Sequence, residues 1–466
     1  MDTSPNFWQD LPMLVWLVFL RIVLPLGIVY FVGWLLWRNF APRDAAEQHL
    51  SFFRFAFRLR KKIRPIKLPA LSPGQIFGLM IVFMIWIAAA GFILARLFWG
   101  LGAATALNDL APWGLWIGFD VMSGVALAAG GFTLAATVYV FRLERYRPIL
   151  RPAILTALLG YTLVIAALMI DLGRWYNIWH PLVMWNPHSV MFEVAWCVML
   201  YTTVLFLEFS PAIWERFHIE WARKLLHKIT IPLVILGVCL STLHQSSLGS
   251  LYLIFATKLS PFWYSPMLPI FFFTSALAVG LAMVMVEAAL SAKAFHRPLE
   301  NDLLASLGKP AIIVLAILLA EKIGDLVVRG MFVKLFTLSL SSTLIWLELG
   351  VGVVLPMVLF SRREWRENPT IRFRAALLVV VGVLLNRMDM AVFGFYDYTA
   401  TLGQTYIPSI GEWVVTLGIV TAGVAAYALI CKFFPVLPEL EKHELKPVRA
   451  DSAQRDLKGA QPVVAD

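Results

Sequence analysis

DLGRWYNIWHPLVMWNPHSVMFEVAWCVMLYTTVLFLEFS, residues 171–210, is the stretch whose reading decides the fold. A polar, aromatic turn holding Asp171, Arg174, Trp175, Tyr176, His180, Asn186 and His188 runs straight into an apolar segment. That segment is long enough to cross a bilayer as a helix, and it carries Glu193 near one end and Glu208 near the other. An ionisable carboxylate at membrane depth costs several kcal/mol and marks a proton or substrate path. The two acids are about 22 Å apart along the helix at 1.5 Å per residue.

The same apolar pattern recurs outward from this stretch. Hydrophobic residues make up 60% of the 466, charged residues only 15%, and mean hydropathy is +0.77. Runs of roughly 20 apolar residues fit a hydrocarbon core of about 30 Å. Their backbone groups must be satisfied within the segment, and they lack the strict alternation of barrel strands, so they are helices. The expectation is an all-α polytopic bundle of about eleven spans, at 12–37, 75–99, 114–142, 150–170, 188–209, 229–247, 266–292, 306–327, 341–361, 373–392 and 409–434. Residues 1–40 form an N-terminal span, too long and without the basic start of a signal peptide, with Arg21 in its middle. Residues 41–74 make a basic linker, 75–436 the membrane domain, and 437–466 a charged tail expected to be disordered.

Lysine and arginine crowd alternate loops, around 54–67, 142–151, 216–228 and 362–374, and are sparse in the loops between. Positive residues stay on the cytoplasmic side. The expected orientation in a bacterial inner membrane therefore has a periplasmic N-terminus and a cytoplasmic C-terminus. The net charge of +10 is topology and contact with anionic membrane lipid, and no nucleic-acid partner is expected. The cysteines Cys197, Cys239 and Cys431 have no paired spacing, so no metal or iron–sulfur site is built from them.

Intramembrane polar residues gather toward the outer side. Asp120, Asp171 with Arg174, Glu193, His244, Glu321 with Lys322 and Asp325, and Asn386 with Arg387 and Asp389 come from six spans and suggest a shared pocket. Glu208, Glu287 and Tyr161 lie deeper and could relay protons inward; Glu208 and Glu287 could equally be interfacial helix ends. A bis-histidine haem needs facing histidines within spans. Only His188 and His244 reach membrane depth, both near outer helix ends, so no haem is expected in this chain.

PWGLWIGFDVMSGVALAAGGF (112–132), DLGRWYN (171–177) with NPHSVMFEVAWC (186–197) and LEFSPAIWER (207–216), and LSTLHQSSLGSLY (240–252) resemble the polysulfide-reductase membrane-subunit (NrfD/PsrC-like) family. Within it they are most similar to membrane subunits of hydrogenase-2-type nickel–iron hydrogenases. The resemblance covers roughly 75–440; residues 1–70 precede it. It implies a haem-free helical subunit with a quinone pocket toward the periplasm. Over that pocket would dock a periplasmic four-cluster ferredoxin-like iron–sulfur subunit, passing electrons between nickel–iron hydrogenase large and small subunits and menaquinone. Carried over by motif, the pocket and proton-path residues are Asp120, Tyr161, Asp171, Arg174, Glu193, His244 and Glu287, with Glu208 beside them. On this reading His244 with Tyr161 or Asp171 bonds the quinone oxygens, Glu193 and Asp120 exchange protons, and Arg174 and Arg387 balance charge. Relatives in sulfur, molybdopterin or multihaem cytochrome complexes share the fold. Two other readings remain: a secondary transporter, in which the Gly124, Gly130 and Gly131 span is a broken helix, and a structural anchor for an extracytoplasmic enzyme.

Overall fold

The computed structural model describes residues 72–437. The expected first span, most of the basic linker and nearly all of the charged tail lie outside the described residues. Among those described there is no strand, and ten helices are long and apolar enough to cross a membrane. We number them α1 (Pro73–Trp99), α2 (Trp116–Val140), α3 (Arg147–Asp171), α4 (Val190–Phe217), α5 (Glu220–Leu251), α6 (Leu268–Phe295), α7 (Asn301–Val328), α8 (Leu340–Ser361), α9 (Pro369–Ala391) and α10 (Ile410–Phe433). The chain is a multi-pass membrane protein.

Local chemistry sets the helix ends. Ser72 and Ser409 close capping boxes with Gln75 and Glu412, satisfying otherwise orphaned N–H groups. Asn368 accepts from the amides of Thr370 and Ile371, with Pro369 in the first turn. At the other ends His218 and His296 take left-handed conformations with φ of 58° and 53°. The largest departure from the expected boundaries is at 216–228. This basic stretch is helical except for a turn at His218 and Ile219, so α4 and α5 project beyond the apolar runs. Charge stops a membrane span but not a helix.

α2 and α6 form the centre of the bundle, whereas α1 is almost wholly exposed to its surroundings along its apolar length. The central pair meets where both chains lack side chains. A Cβ on Gly280 would stand 2.9 Å from the Ala129 carbonyl carbon, and one on Gly130 would stand 3.0 Å from the Gly280 oxygen. Small residues let backbones touch where lipid supplies no hydrophobic drive between helices. A second close crossing joins α8 and α9, where a Cβ on Gly352 would fall 2.5 Å from the Gly382 Cα.

Two membrane-spanning helices depart from α geometry. α2 opens with a π-helical segment, Trp116–Ser123, and closes with another, Ala136–Val140. α8 contains a π-helical segment at Leu347–Val354. Asp120 sits in the first and Glu348 in the third, and both are buried. π segments widen a helix locally and recur at functional sites. The helix ends divide into a charge-poor face, with loops around 100–115, 172–189, 252–267 and 392–409, and a basic face around 141–146 and 362–368.

Candidate functional site

The polar residues expected to share one pocket form three groups. The first surrounds Asp120, whose Oδ2 accepts a 2.7 Å hydrogen bond from Thr416 Oγ1 on α10. One turn earlier on α10, Glu412 is fully buried. It accepts from the amides of Ala106 at 3.0 Å and Ser409 at 2.9 Å and from the Tyr406 phenol, and Trp116 Nε1 donates to its backbone carbonyl at 3.2 Å. Asp171 ends α3 nearby, with Oδ1 buried and without a hydrogen bond. Its field comes from Arg96, Glu412 and Asp120. Arg96 is buried near the end of α1 and donates to the carbonyls of Ile170 and Leu172, closing the C-terminus of α3. Three acids and one guanidinium thus come together from four helices.

An open cavity of about 180 Å³ borders this group on the charge-poor face. Its walls include Leu110, Trp113, Phe255, Phe393, Phe395 and Tyr396, with Asp109, Lys258 and Tyr406 as polar groups. Concave, mostly apolar sites with a few polar groups are where small organic ligands bind. Tyr406 connects cavity and acids: its phenol donates to Glu412 Oε1 and accepts from the Leu115 amide at 2.8 Å. Burial, and next the bond to Glu412, pushes this phenol above its ordinary value, so it remains a donor.

The second group lies deeper. Tyr161 Oη is 2.8 Å from His244 Nδ1, and both side chains are buried. The α5 helix continues past His244 to Leu251, which sets the imidazole well inside the protein rather than at a helix mouth. Its Nε2 has no hydrogen bond among the described residues. Tyr161 packs edge-on against Tyr201, with ring centroids 4.7 Å apart. Glu208 is two turns along α4 from Tyr201, facing Gly237, with Oε1 3.5 Å from where a Cβ would stand. On α6, Glu287 accepts from the Tyr427 phenol and lines a small cavity of about 10 Å³ among α2, α3 and α6.

The third group is centred on Arg387, fully buried on α9. It donates to Asn386 Oδ1 at 2.6 Å, Ser275 Oγ at 2.9 Å and the Phe272 carbonyl at 3.3 Å, and its guanidinium lies 3.8 Å from the Phe272 ring centroid. Asn386 donates to Glu348 at 3.1 Å, Trp263 Nε1 donates to the other Glu348 oxygen at 3.3 Å, and Lys322 pairs with the same carboxylate. Phe272 stacks toward Tyr252, which meets Trp113 at 5.3 Å. This group therefore reaches the wall of the large cavity through Tyr252 and Trp113.

Glu193 and Arg174 belong to none of these groups: both are exposed on the charge-poor face. Sequence reasoning passed over Glu412, Tyr406, Arg96 and Glu348. The signal available for Glu412 was the Ser409-x-x-Glu412 capping box, whose acid would ordinarily face water. Glu348 was an acid within an apolar run, the same signal that marked Asp120.

The family model of the polysulphide reductase NrfD matches residues 103–394, which is most of the membrane domain and more than half the chain. The chain belongs to the NrfD family. It is 40% identical over 79% of its length to a protein of Nitratidesulfovibrio vulgaris (strain Hildenborough), covering 95% of that relative. It is 33% identical to the probable Ni/Fe-hydrogenase 2 b-type cytochrome subunit of Escherichia coli (strain K12), over 80% of this chain and 94% of that one. It is 28% identical to the menaquinone reductase integral membrane subunit of Nitratidesulfovibrio vulgaris, over 77% and 92%. The words b-type cytochrome in one relative's name raise the question of haem. Among the described residues His244 is the one buried histidine, and Tyr161 occupies its Nδ1. A bis-histidine haem needs two inward imidazoles, and the described residues supply one.

Proposed function

We propose that this NrfD-family chain is the quinone-reactive membrane subunit of an oxidoreductase resembling hydrogenase 2. It would exchange electrons from an iron–sulfur partner with menaquinone. The observation that carries the reading is Tyr406, which lines the large cavity on one side and hydrogen-bonds Glu412 on the other. Reducing a quinone takes two electrons and two protons, so such a site needs an aromatic slot with a proton donor in contact and a reserve of acids behind it. Tyr406 and Lys258 are the donors on the wall, and Glu412, Asp120 and Asp171 form the reserve. The printed names of the hydrogenase and menaquinone reductase relatives support the same reading.

In this account His244 and Tyr161 form a deeper polar pair that holds or passes a proton, and Glu208 and Glu287 continue toward the basic face. Arg387 orients Asn386 and supplies positive charge beside the cavity. Glu193 and Arg174, exposed on the charge-poor face, exchange protons with solvent and meet the partner. That face would be periplasmic in a bacterial inner membrane, covered by a four-cluster ferredoxin-like subunit carrying electrons from nickel–iron hydrogenase large and small subunits. Coupling to transmembrane proton movement would use the deeper acids. The experiment is a mild-detergent purification of the tagged full-length chain, with co-purifying proteins identified by mass spectrometry and hydrogen-driven reduction of a menaquinone analogue measured. The reading predicts iron–sulfur and hydrogenase chains and turnover of the analogue. A chain that purifies alone and neither binds nor turns over quinone overturns it.

A further inference from the structure

The third polar group contains an acid that the quinone reading does not use. Asp389 on α9 is fully buried, and neither carboxylate oxygen has a hydrogen bond among the described residues. Its neighbours are otherwise well provided. Glu348 takes three donors, from Lys322, Asn386 and Trp263. Arg387 bonds Asn386, Ser275 and the Phe272 carbonyl and touches no carboxylate, with its Nε left unpartnered. An ionised carboxylate without a donor in such an interior is penalised by several kcal/mol. A protonated one is not.

The groups around Asp389 are few and can be named from every side. α7 brings Lys322, and Asp325 lies one turn beyond it, tied to Ser265 at 2.6 Å and to Arg329. α8 brings Glu348, and the end of α5 brings Tyr252, whose field falls on Arg387. α6 brings Ser275 and Thr274, neither of them charged. The first segment of α2 meets α9 at Gly118, against Met388 and Ala391, and its acid Asp120 is bonded to Thr416. A small cavity of about 20 Å³, lined by Lys322, Asp325, Asn386 and Trp263, opens beside the Glu348 pair.

The geometry points to a second proton-binding site at the fully buried, unpartnered Asp389, separate from the cavity acids, with the Lys322–Glu348 pair as its neighbouring charge control. The ligand is the proton. A metal cation is a poor alternative because the Lys322 ammonium, paired with the neighbouring Glu348, already brings a positive charge to this group. The inference goes beyond the quinone reading and does not depend on it, since the site can load and release a proton whatever drives it.

Infrared difference spectroscopy of the purified full-length protein in lipid nanodiscs, titrated over pH, tests this without any turnover. The expected result is a titrating protonated-carboxyl band that Asp389→Asn abolishes. Removing the nearby cation in Lys322→Gln should raise the midpoint of that band, and removing the like charge in Glu348→Gln should lower it, each by about 1–3 pH units. A carboxyl remote from the Lys322–Glu348 pair would not give opposite movements. If Asp389→Asn fails to fold, the two midpoint shifts decide. A spectrum in which Asp389→Asn matches the unaltered protein, or in which neither neighbour moves any carboxyl midpoint, overturns the proposal.

Discussion

Tyr406 donates its phenolic proton to Glu412 while the Leu115 amide, 291 positions earlier in the chain, donates to the same oxygen. That single hydroxyl joins a loop, the start of α2 and the first turn of α10 at the edge of the cavity. Tyr406→Phe should therefore lower quinone turnover by about 100-fold, the usual effect of removing a positioned acid or base. Stability should fall by about 1 kcal/mol because the Leu115 amide loses its acceptor. Donor-driven quinone reduction and a thermal melt on the same preparation check both.

Glu412 has a structural load apart from any proton it passes. Glu412→Ala strips the acceptors from the amides of Ala106 and Ser409, and a hydrogen bond to a charged group contributes about 1.5 kcal/mol or more. The expected loss is about 3 kcal/mol, read as a lower unfolding midpoint in detergent. Glu412→Gln should keep most of that stability while still impairing turnover.

The α8–α9 crossing gives a prediction independent of function. Gly352→Ala would put a methyl 2.5 Å from the Gly382 Cα. Overpacking of this kind costs about 1–3 kcal/mol, so unfolding in mild denaturant should shift to lower concentration. Gly324→Ala, where nothing lies within 4 Å, should leave the midpoint unchanged.

Glu287 and Tyr427 separate a proton role from a packing role. Glu287→Gln retains an oxygen for the Tyr427 phenol and should fold normally, yet lose most of any turnover-linked proton uptake from the basic face. Proteoliposomes with a trapped pH dye measure this. Uptake equal to that of the unaltered protein would remove Glu287 from the path.

The ten described spans were legible because an apolar run of bilayer length has one solution, and the expected bounds fall on these helices. The chief differences are basic ends, as at 216–228, that continue as helix. Asp120, Tyr161, His244 and Arg387 were legible as polar residues at depth. Spacing alone did not say which stripe of α4 faces inward. Glu193 and Cys197 lie one turn apart, yet the first is exposed and the second buried. Arg96 was passed over because its acceptors, the carbonyls at the end of α3, appear only when α1 and α3 are docked. Tyr406 likewise takes a hydrogen bond from the Leu115 amide, 291 positions away.

The central claim is that the cavity between Trp113, Phe255 and Tyr406 takes a quinone. Photolabelling the purified complex with an azido-menaquinone analogue, followed by peptide mapping, tests it most directly. The account predicts labels in residues 109–113, 252–258 and 391–406, suppressed by excess menaquinone and weakened by Tyr406→Phe. Label confined to the lipid-facing side of α1, or label that menaquinone does not displace, would contradict it.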